Sequence, residues 1–287
     1  MALVPRPDRP TNRPLVIAHR GASIDAPEHT LAAYQRAIDD GADGLEADVR
    51  LTADGHLVCV HDRRVDRTSN GRGVLSTLEL ADLESLDFGS WKSAAQDAEE
   101  PDQLGAGAHG VLTLARLLQL VVDAPRPIDL AIETKHPTRY AGLVERRLIE
   151  TLAQAGLAAQ AGPGSGQVRV MSFSEVALRR VRRLAPGLPM VLLMERVPVS
   201  YRLGSLPRGV AVAGPSIEIL RAHPKFVQRL ISQGHQVHVW TVDDPNDVEL
   251  VARLGVDAII TNRPKQVMEQ LQQASSTDHS QSDADTQ

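Results

Sequence analysis

Short apolar runs alternate with longer amphipathic segments over most of the chain. The runs predict strands at Leu15–Ala18, Leu45–Val49, Asp129–Thr134, Val168–Ser172, Met190–Met194, Val210–Ala213, Gln236–Thr241 and Ala258–Thr261. Between them, apolar residues recur at helical spacing, as in Leu143, Leu148 and Leu152 or Val176, Val181 and Leu184, and this period predicts helices. They fall at Thr30–Asp40, Leu112–Val122, Tyr140–Ala155, Ser174–Leu184, Lys225–Gln233, Asn246–Leu254 and Lys265–Gln272. Punctuation agrees: Gly156, Gly234 and Gly255 stand where helices end, Pro245 and Pro264 where helices begin.

Strands separated by helix-sized connections pair in parallel, since a parallel crossover needs about a dozen residues or more. Eight such strands predict an α/β fold with a single closed (β/α)8 TIM barrel over residues 14–273, a fold that commonly takes about 250 residues. The fifth crossover, Glu195–Arg208, carries no helical pattern. Residues 53–110, after the second strand, form an insertion with a hairpin arm (His56–His61), a turn (Ser69–Gly73), a helix near Thr77–Leu86 and a Gly/Ala-rich loop. An insertion of this length over one end of a barrel is suited to shaping a substrate pocket. Residues 1–13, rich in Pro and Arg, and the polar tail 274–287 cannot bury enough apolar surface to offset their ordering entropy, so disorder is expected at both ends.

Residues two apart on a strand share a face. With Leu45, Ala47 and Val49 turned to the helices, Glu46, Asp48 and Arg50 point to the barrel axis; with Ile132 and Thr134 outward, Glu133 and Lys135 point inward; His238 and Trp240 share the inward face of their strand. A barrel interior normally takes branched apolar side chains. Charges there are costly unless they pair with one another or bind a cation, and these cluster at strand C-termini, where barrel enzymes carry their active sites. Tyr34 and Phe173 read as core residues.

Composition narrows the field. The 287 residues, 42% hydrophobic, can fill one large core, and a net charge of −5 excludes the basic stripe of a nucleic-acid groove binder. No run approaches the roughly 20 apolar residues of a membrane span, so no stable membrane insertion is expected. The first residues lack a signal-like apolar stretch, and the single Cys59 cannot form an internal disulfide. These features predict a cytoplasmic protein and leave its oligomeric state open.

Further chemistry gathers at the same end. The first strand runs into His19 and Arg20, and the hairpin arm ends on His61 and Asp62. In order, the chain carries HRG (His19–Gly21), PEHT (Pro27–Thr30), EADVRLTADG (Glu46–Gly55), HD (His61, Asp62), RTSNGRG (Arg67–Gly73), ETK (Glu133–Lys135), VWTV (Val239–Val242) and TNRP (Thr261–Pro264). In these segments, from Leu15 to Leu271, it resembles glycerophosphodiester phosphodiesterases. The resemblance implies a (β/α)8 barrel, a divalent metal and hydrolysis of a small-molecule glycerophosphodiester to sn-glycerol 3-phosphate and an alcohol, in phospholipid breakdown and glycerol metabolism. It also implies attack by a glycerol hydroxyl followed by opening of a cyclic phosphate. Two positions depart from the pattern: His29 stands where the family has Asn, and Asn262 where Asp is common. Neither is expected to touch the metal ligands or the paired histidines.

A phosphodiester is anionic and has a poor leaving group, so its hydrolysis calls for charge neutralisation, a base and an acid. Glu46, Asp48 and Glu133 offer hard oxygen ligands suited to Mg²⁺ or Ca²⁺; Arg20 and Lys135 suit the phosphate; His19 and His61 titrate near neutrality and suit the acid–base pair. The charged neighbours would push His19 down (Arg20) and His61 up (Asp62). Trp240 is placed either in the core or as an apolar wall for the glycerol carbons. Three rival readings share these residues. One is a buried ion-pair network without a metal. Another is a hydrolase of lysophospholipids, which needs an apolar surface, with the loop around Leu203 as its candidate. The third is a non-catalytic binder of phosphorylated polyols, which would need no acid–base pair.

Overall fold

A computed structural model describes residues 13–93, 109–158 and 167–284. Its strands are β1 (Leu15–His19), β2 (Gly44–Leu51), β3 (Leu57–Cys59), β4 (Asp129–Thr134), β5 (Val168–Ser172), β6 (Met190–Met194), β7 (Val212–Pro215), β8 (Gln236–Val239) and β9 (Ala258–Thr261). Every strand but β3 pairs in parallel, and β1 bonds to both β9 and β2, which closes a (β/α)8 barrel. The exception, β3, runs antiparallel to the last residues of β2 and begins the insertion.

The helices are α1 (Leu31–Asp39), α2 (Leu80–Glu84), α3 (Ser90–Ser93), α4 (Leu114–Val122), α5 (Leu143–Gln154), α6 (Glu175–Leu184), α7 (Ile217–Ala222), α8 (Pro224–Ser232), α9 (Pro245–Arg253) and α10 (Pro264–Ala284). Their starts follow from local chemistry. The hydroxyls of Thr30, Thr113 and Ser174 and the carboxylate of Asp244 each accept a first-turn backbone N–H that would otherwise lack a partner. The crossover Glu195–Arg208 holds only the 3₁₀ turn Val199–Tyr201.

Two apolar layers lie back to back. Outward residues of the strands, such as Leu45, Ala47, Val49 and Ile132, pack against the helices. Inward residues, among them Leu15, Ile17, Ala131, Met171, Val191 and Ile260, fill the barrel. A third cluster, including Val58, Val65, Leu75 and Phe88, lets the insertion fold over the barrel end. Among the described residues, no helix is long and apolar enough to cross a membrane.

Several expectations shift. β7 lies two residues later than Val210–Ala213 and runs through Gly214 and Pro215, which read as breakers. Gly214 packs closely there: a Cβ would meet the tip of the Leu193 side chain at 2.8 Å, so a larger residue would need that side chain to shift. The helix expected at Thr77–Leu86 splits into a 3₁₀ turn, Leu75–Thr77, and α2, because Leu78 C=O and Leu80 N–H are engaged by Ala53 and Asp54. α10 continues to Ala284, into the tail expected to be disordered; once nucleated on Val267, Met268 and Leu271, a helix propagates at little cost. Arg13, assigned to the disordered arm, is anchored by two bonds to Asp43 at 2.7 and 3.0 Å. The rest of that arm and the Gly/Ala-rich stretch 94–108 lie outside the described residues.

Candidate active site

Inward positions change character at the C-terminal end of the strands. β2 carries Glu46 and Asp48, β4 carries Glu133, and register places Asp48 beside Glu133 and Glu46 beside His19 of β1. All three carboxylates are buried, and one oxygen of each lies within 4.8 Å of the others.

Cationic groups surround them incompletely. The turn after β1 gives Arg20 a φ of 59° and Gly21 a φ of 85°. A Cβ on Gly21 would lie 2.6 Å from the Ala33 backbone, so the close turn needs glycine. This turn directs the Arg20 backbone N–H to Glu46 Oε2 at 3.0 Å, its Nε to Asp48 Oδ2 at 3.2 Å and its Nη1 to Glu28 Oε1 at 3.0 Å. Lys135 Nζ lies 2.9 Å from Glu133 Oε1 and 3.3 Å from Asp48 Oδ1. Three carboxylates thus share Lys135 and an arginine that also serves Glu28. Burial and the neighbouring Asp48 charge push Glu133 up to about 8, and burial with the same neighbour raises Glu46 well above the usual carboxylate range. Asp48 is pushed up by burial too, yet His29, Lys135 and Arg20 together hold it well below that range. Such a cluster of hard oxygen donors, short of positive charge, fits a divalent cation. The ion pairs expected of a metal-free network are present but do not balance it.

The two histidines have similar surroundings. His19 Nδ1 lies 2.8 Å from Asn262 Oδ1, and that amide is oriented by donating through its nitrogen to Asp243. His61 Nδ1 lies 2.7 Å from Asp62 Oδ1. Each acceptor selects the tautomer that keeps the proton on Nδ1 and leaves Nε2 as the basic nitrogen. Burial and the charge of Arg20 push His19 down to about 4. His61 is lowered as well, with burial outweighing Asp62, so the split expected from sequence neighbours does not arise.

Both departures from the family pattern lie in direct contact with the site, contrary to expectation. His29, buried at a φ of 60°, sets its Nε2 2.9 Å from Asp48 Oδ2 and its Nδ1 2.8 Å from the Tyr34 hydroxyl. Asn262 holds His19 by a hydrogen bond that only partly offsets the lowering by burial and Arg20.

Other residues escaped the sequence reading. Arg67, in the insertion, donates to both oxygens of Glu28 at 2.7 Å and through Nε to Asp62 Oδ2 at 2.7 Å. One guanidinium therefore braces the partner of Arg20 and the partner of His61. Among the described residues Arg50 forms no salt bridge; its Nε and Nη2 donate to the His61 carbonyl at 2.9 and 2.7 Å and fix the end of the hairpin arm. Phe173, read as core, is 42% exposed and meets Trp240 edge-to-face with ring centroids 5.5 Å apart. It follows β5 by one residue, so it stands at the rim. Trp240 packs on the inner apolar layer and donates its indole N–H to Gly214 C=O at 2.7 Å. Tyr34 is fully buried, as expected.

Known proteins are similar to this chain along most of its length. A family model described as the glycerophosphoryl diester phosphodiesterase family matches residues 19–266. A probable glycerophosphodiester phosphodiesterase 1 of Mycobacterium tuberculosis is 47% identical over 254 residues, which cover 88% of this chain and 90% of the relative. A glycerophosphodiester phosphodiesterase of Bacillus subtilis is 33% identical, covering 88% of this chain and 85% of the relative. Among solved structures, a phosphodiesterase of Oleispira antarctica, in complex with the product sn-glycerol-3-phosphate, matches with a TM-score of 0.75 at 25% identity; the match covers 91% of this chain and 97% of that one.

Proposed function

Because the chain belongs to the glycerophosphoryl diester phosphodiesterase family, we propose that it hydrolyses glycerophosphodiesters to sn-glycerol 3-phosphate and an alcohol in a metal-dependent reaction. The role is breakdown of deacylated phospholipids and supply of glycerol phosphate. The enzyme is a phosphoric diester hydrolase. The observation that carries the finer reading is the group Glu46, Asp48 and Glu133, three buried carboxylates within 4.8 Å and short of cations. The product bound to the Oleispira relative supports the same substrate class.

Glu46, Asp48 and Glu133 would hold Mg²⁺ or Ca²⁺, which supplies charge neutralisation at a phosphate oxygen when bound. Arg20 and Lys135 add positive charge at the same end of the barrel. Among the described residues, Arg20 Nη2 makes no hydrogen bond, which leaves part of the guanidinium fork for a phosphate oxygen. The Nε2 atoms of His19 and His61 are the proton carriers. One takes the proton of the attacking hydroxyl; the other gives a proton to the departing oxygen, which could not leave as a free alkoxide. Asn262 and Asp62 keep both rings in the tautomer this requires. The Trp240–Phe173 pair offers an apolar wall to the glycerol carbons.

The test is release of sn-glycerol 3-phosphate from a panel of glycerophosphodiesters. Release should stop after chelation and return with Mg²⁺ or Ca²⁺. Undiminished release from metal-free protein would sink the reading.

A further inference from the structure

A cavity of about 470 Å³ lies beside the carboxylate cluster, between the insertion and the loop that follows β4. This is the size range of small-molecule sites. Arg50 and Lys135 form its inner end, and these same side chains touch the His61 carbonyl and the Glu133 carboxylate. Its outer part is lined by Arg63 from the insertion and Arg139 from the loop. The two walls are tied together by the Tyr140 hydroxyl, which donates to Ser76 C=O at 2.9 Å.

The charge of this lining runs against that of the chain. Asp and Glu outnumber Lys and Arg by 36 to 31 overall, yet among the described residues the lining holds four cations and no carboxylate. Nearby arginines of the insertion have partners: Arg64 pairs with Asp66, and Arg67 with Glu28 and Asp62. Arg63 and Arg139, both exposed, form no salt bridge among the described residues, and Arg139 lies over the Tyr140 ring at 5.7 Å. Unpaired guanidinium groups around a walled cavity next to the reacting groups are arranged to meet an anion, and an arginine fork fits a carboxylate or phosphate.

We propose that this cavity receives the alcohol half of the diester and favours head groups that carry an anionic group of their own, a carboxylate or a phosphate, over head groups that are only cationic. The proposal rests on the phosphodiesterase reading and adds its substrate class. A cationic head group would meet Arg63 and Arg139 as like charges and gain nothing from the cavity.

Glycerophosphoserine and glycerophosphoethanolamine provide the test, because their head groups differ by one carboxylate. In wild type, kcat/KM for the serine diester should exceed that for the ethanolamine diester by about tenfold, mainly through KM, as one charge-assisted contact would give. The ratio should shrink at high salt, since the arginines are exposed. It should fall towards one in Arg63→Ala/Arg139→Ala and invert in Arg63→Glu/Arg139→Glu. Equal rates on the two diesters in wild type, or a preference for serine that survives both double variants, overturns the head-group assignment alone. Hydrolysis of neither diester by metal-loaded wild type overturns the phosphodiesterase reading and the assignment together.

Discussion

Two levels of the same barrel interior obey opposite rules. On β1, Ile17 packs in the inner apolar layer, while His19, two residues on, stands in the candidate active site. On β4, Ala131 belongs to the apolar layer and Glu133 to the carboxylate cluster. One step of the strand repeat separates densely packed apolar atoms from charged and titratable ones. The lower level supplies burial, about 25 cal/mol per Å² of apolar surface removed from water. The upper level accepts buried charges that cost stability. Stability and chemistry should therefore respond separately to changes only two residues apart.

The largest expected effect is on the upper level. His19→Ala or His61→Ala should lower kcat by about 10²–10⁴ and leave KM and the melting temperature nearly unchanged. The double variant should lose little more than the worse single one, because half of a proton relay is of little use. Steady-state kinetics with a thermal melt on each variant would check both points; additive losses would assign the histidines separate tasks.

Ile17→Ala applies the reverse test to the lower level. Loss of a fully buried side chain should cost about 2–5 kcal/mol of stability in denaturant unfolding. Turnover per folded molecule should stay close to wild type. A large fall in kcat at unchanged stability would show that the two levels are not separable.

A smaller effect concerns Arg67, which joins the site to the insertion. Asp62 is held down to about 2, with Arg67 the main cause, and Glu28 to about 2, where Arg67 and Arg20 outweigh burial. Both carboxylates are depressed in the folded state, so their contribution is present above the unfolded value of about 4. It is lost as pH falls from there towards 2. Arg67→Ala should melt below wild type at pH 6, with the gap closing as pH approaches 2; kcat should fall about tenfold as His61 and Arg20 lose their bracing. A gap that stays constant with pH would remove Arg67 from this role.

The comparison also shows what was legible in the sequence. Alternation on β2 and β4 is local, so the inward placement of Glu46, Asp48 and Glu133 could be read without the fold. Boundaries were harder where tertiary contact overrides propensity, as at Gly214 and Pro215, which lie inside β7 because they pair with Leu193 and Met194 of β6. α7 was missed because it is short and ends at His223–Pro224, before α8. The bracing by Arg67 joins residues 39 positions apart, and no periodicity encodes such a pair. The nearest signal was RTSNGRG, a motif with two arginines placed just after His61 and Asp62. His29 and Asn262 were visible as departures, but their contacts depend on strand register across the barrel, which alternation alone does not give.

The proposed catalysis turns on a divalent cation held by Glu46, Asp48 and Glu133. It is tested most directly by titrating metal-free protein with Mg²⁺ and with Ca²⁺ in a calorimeter and assaying the same samples for diester hydrolysis. Wild type should bind one of these ions at a single site and gain activity along the same isotherm, whereas Asp48→Asn should stay folded and lose both. Activity in wild type before any metal is added, or unchanged binding and turnover in Asp48→Asn, would contradict the account.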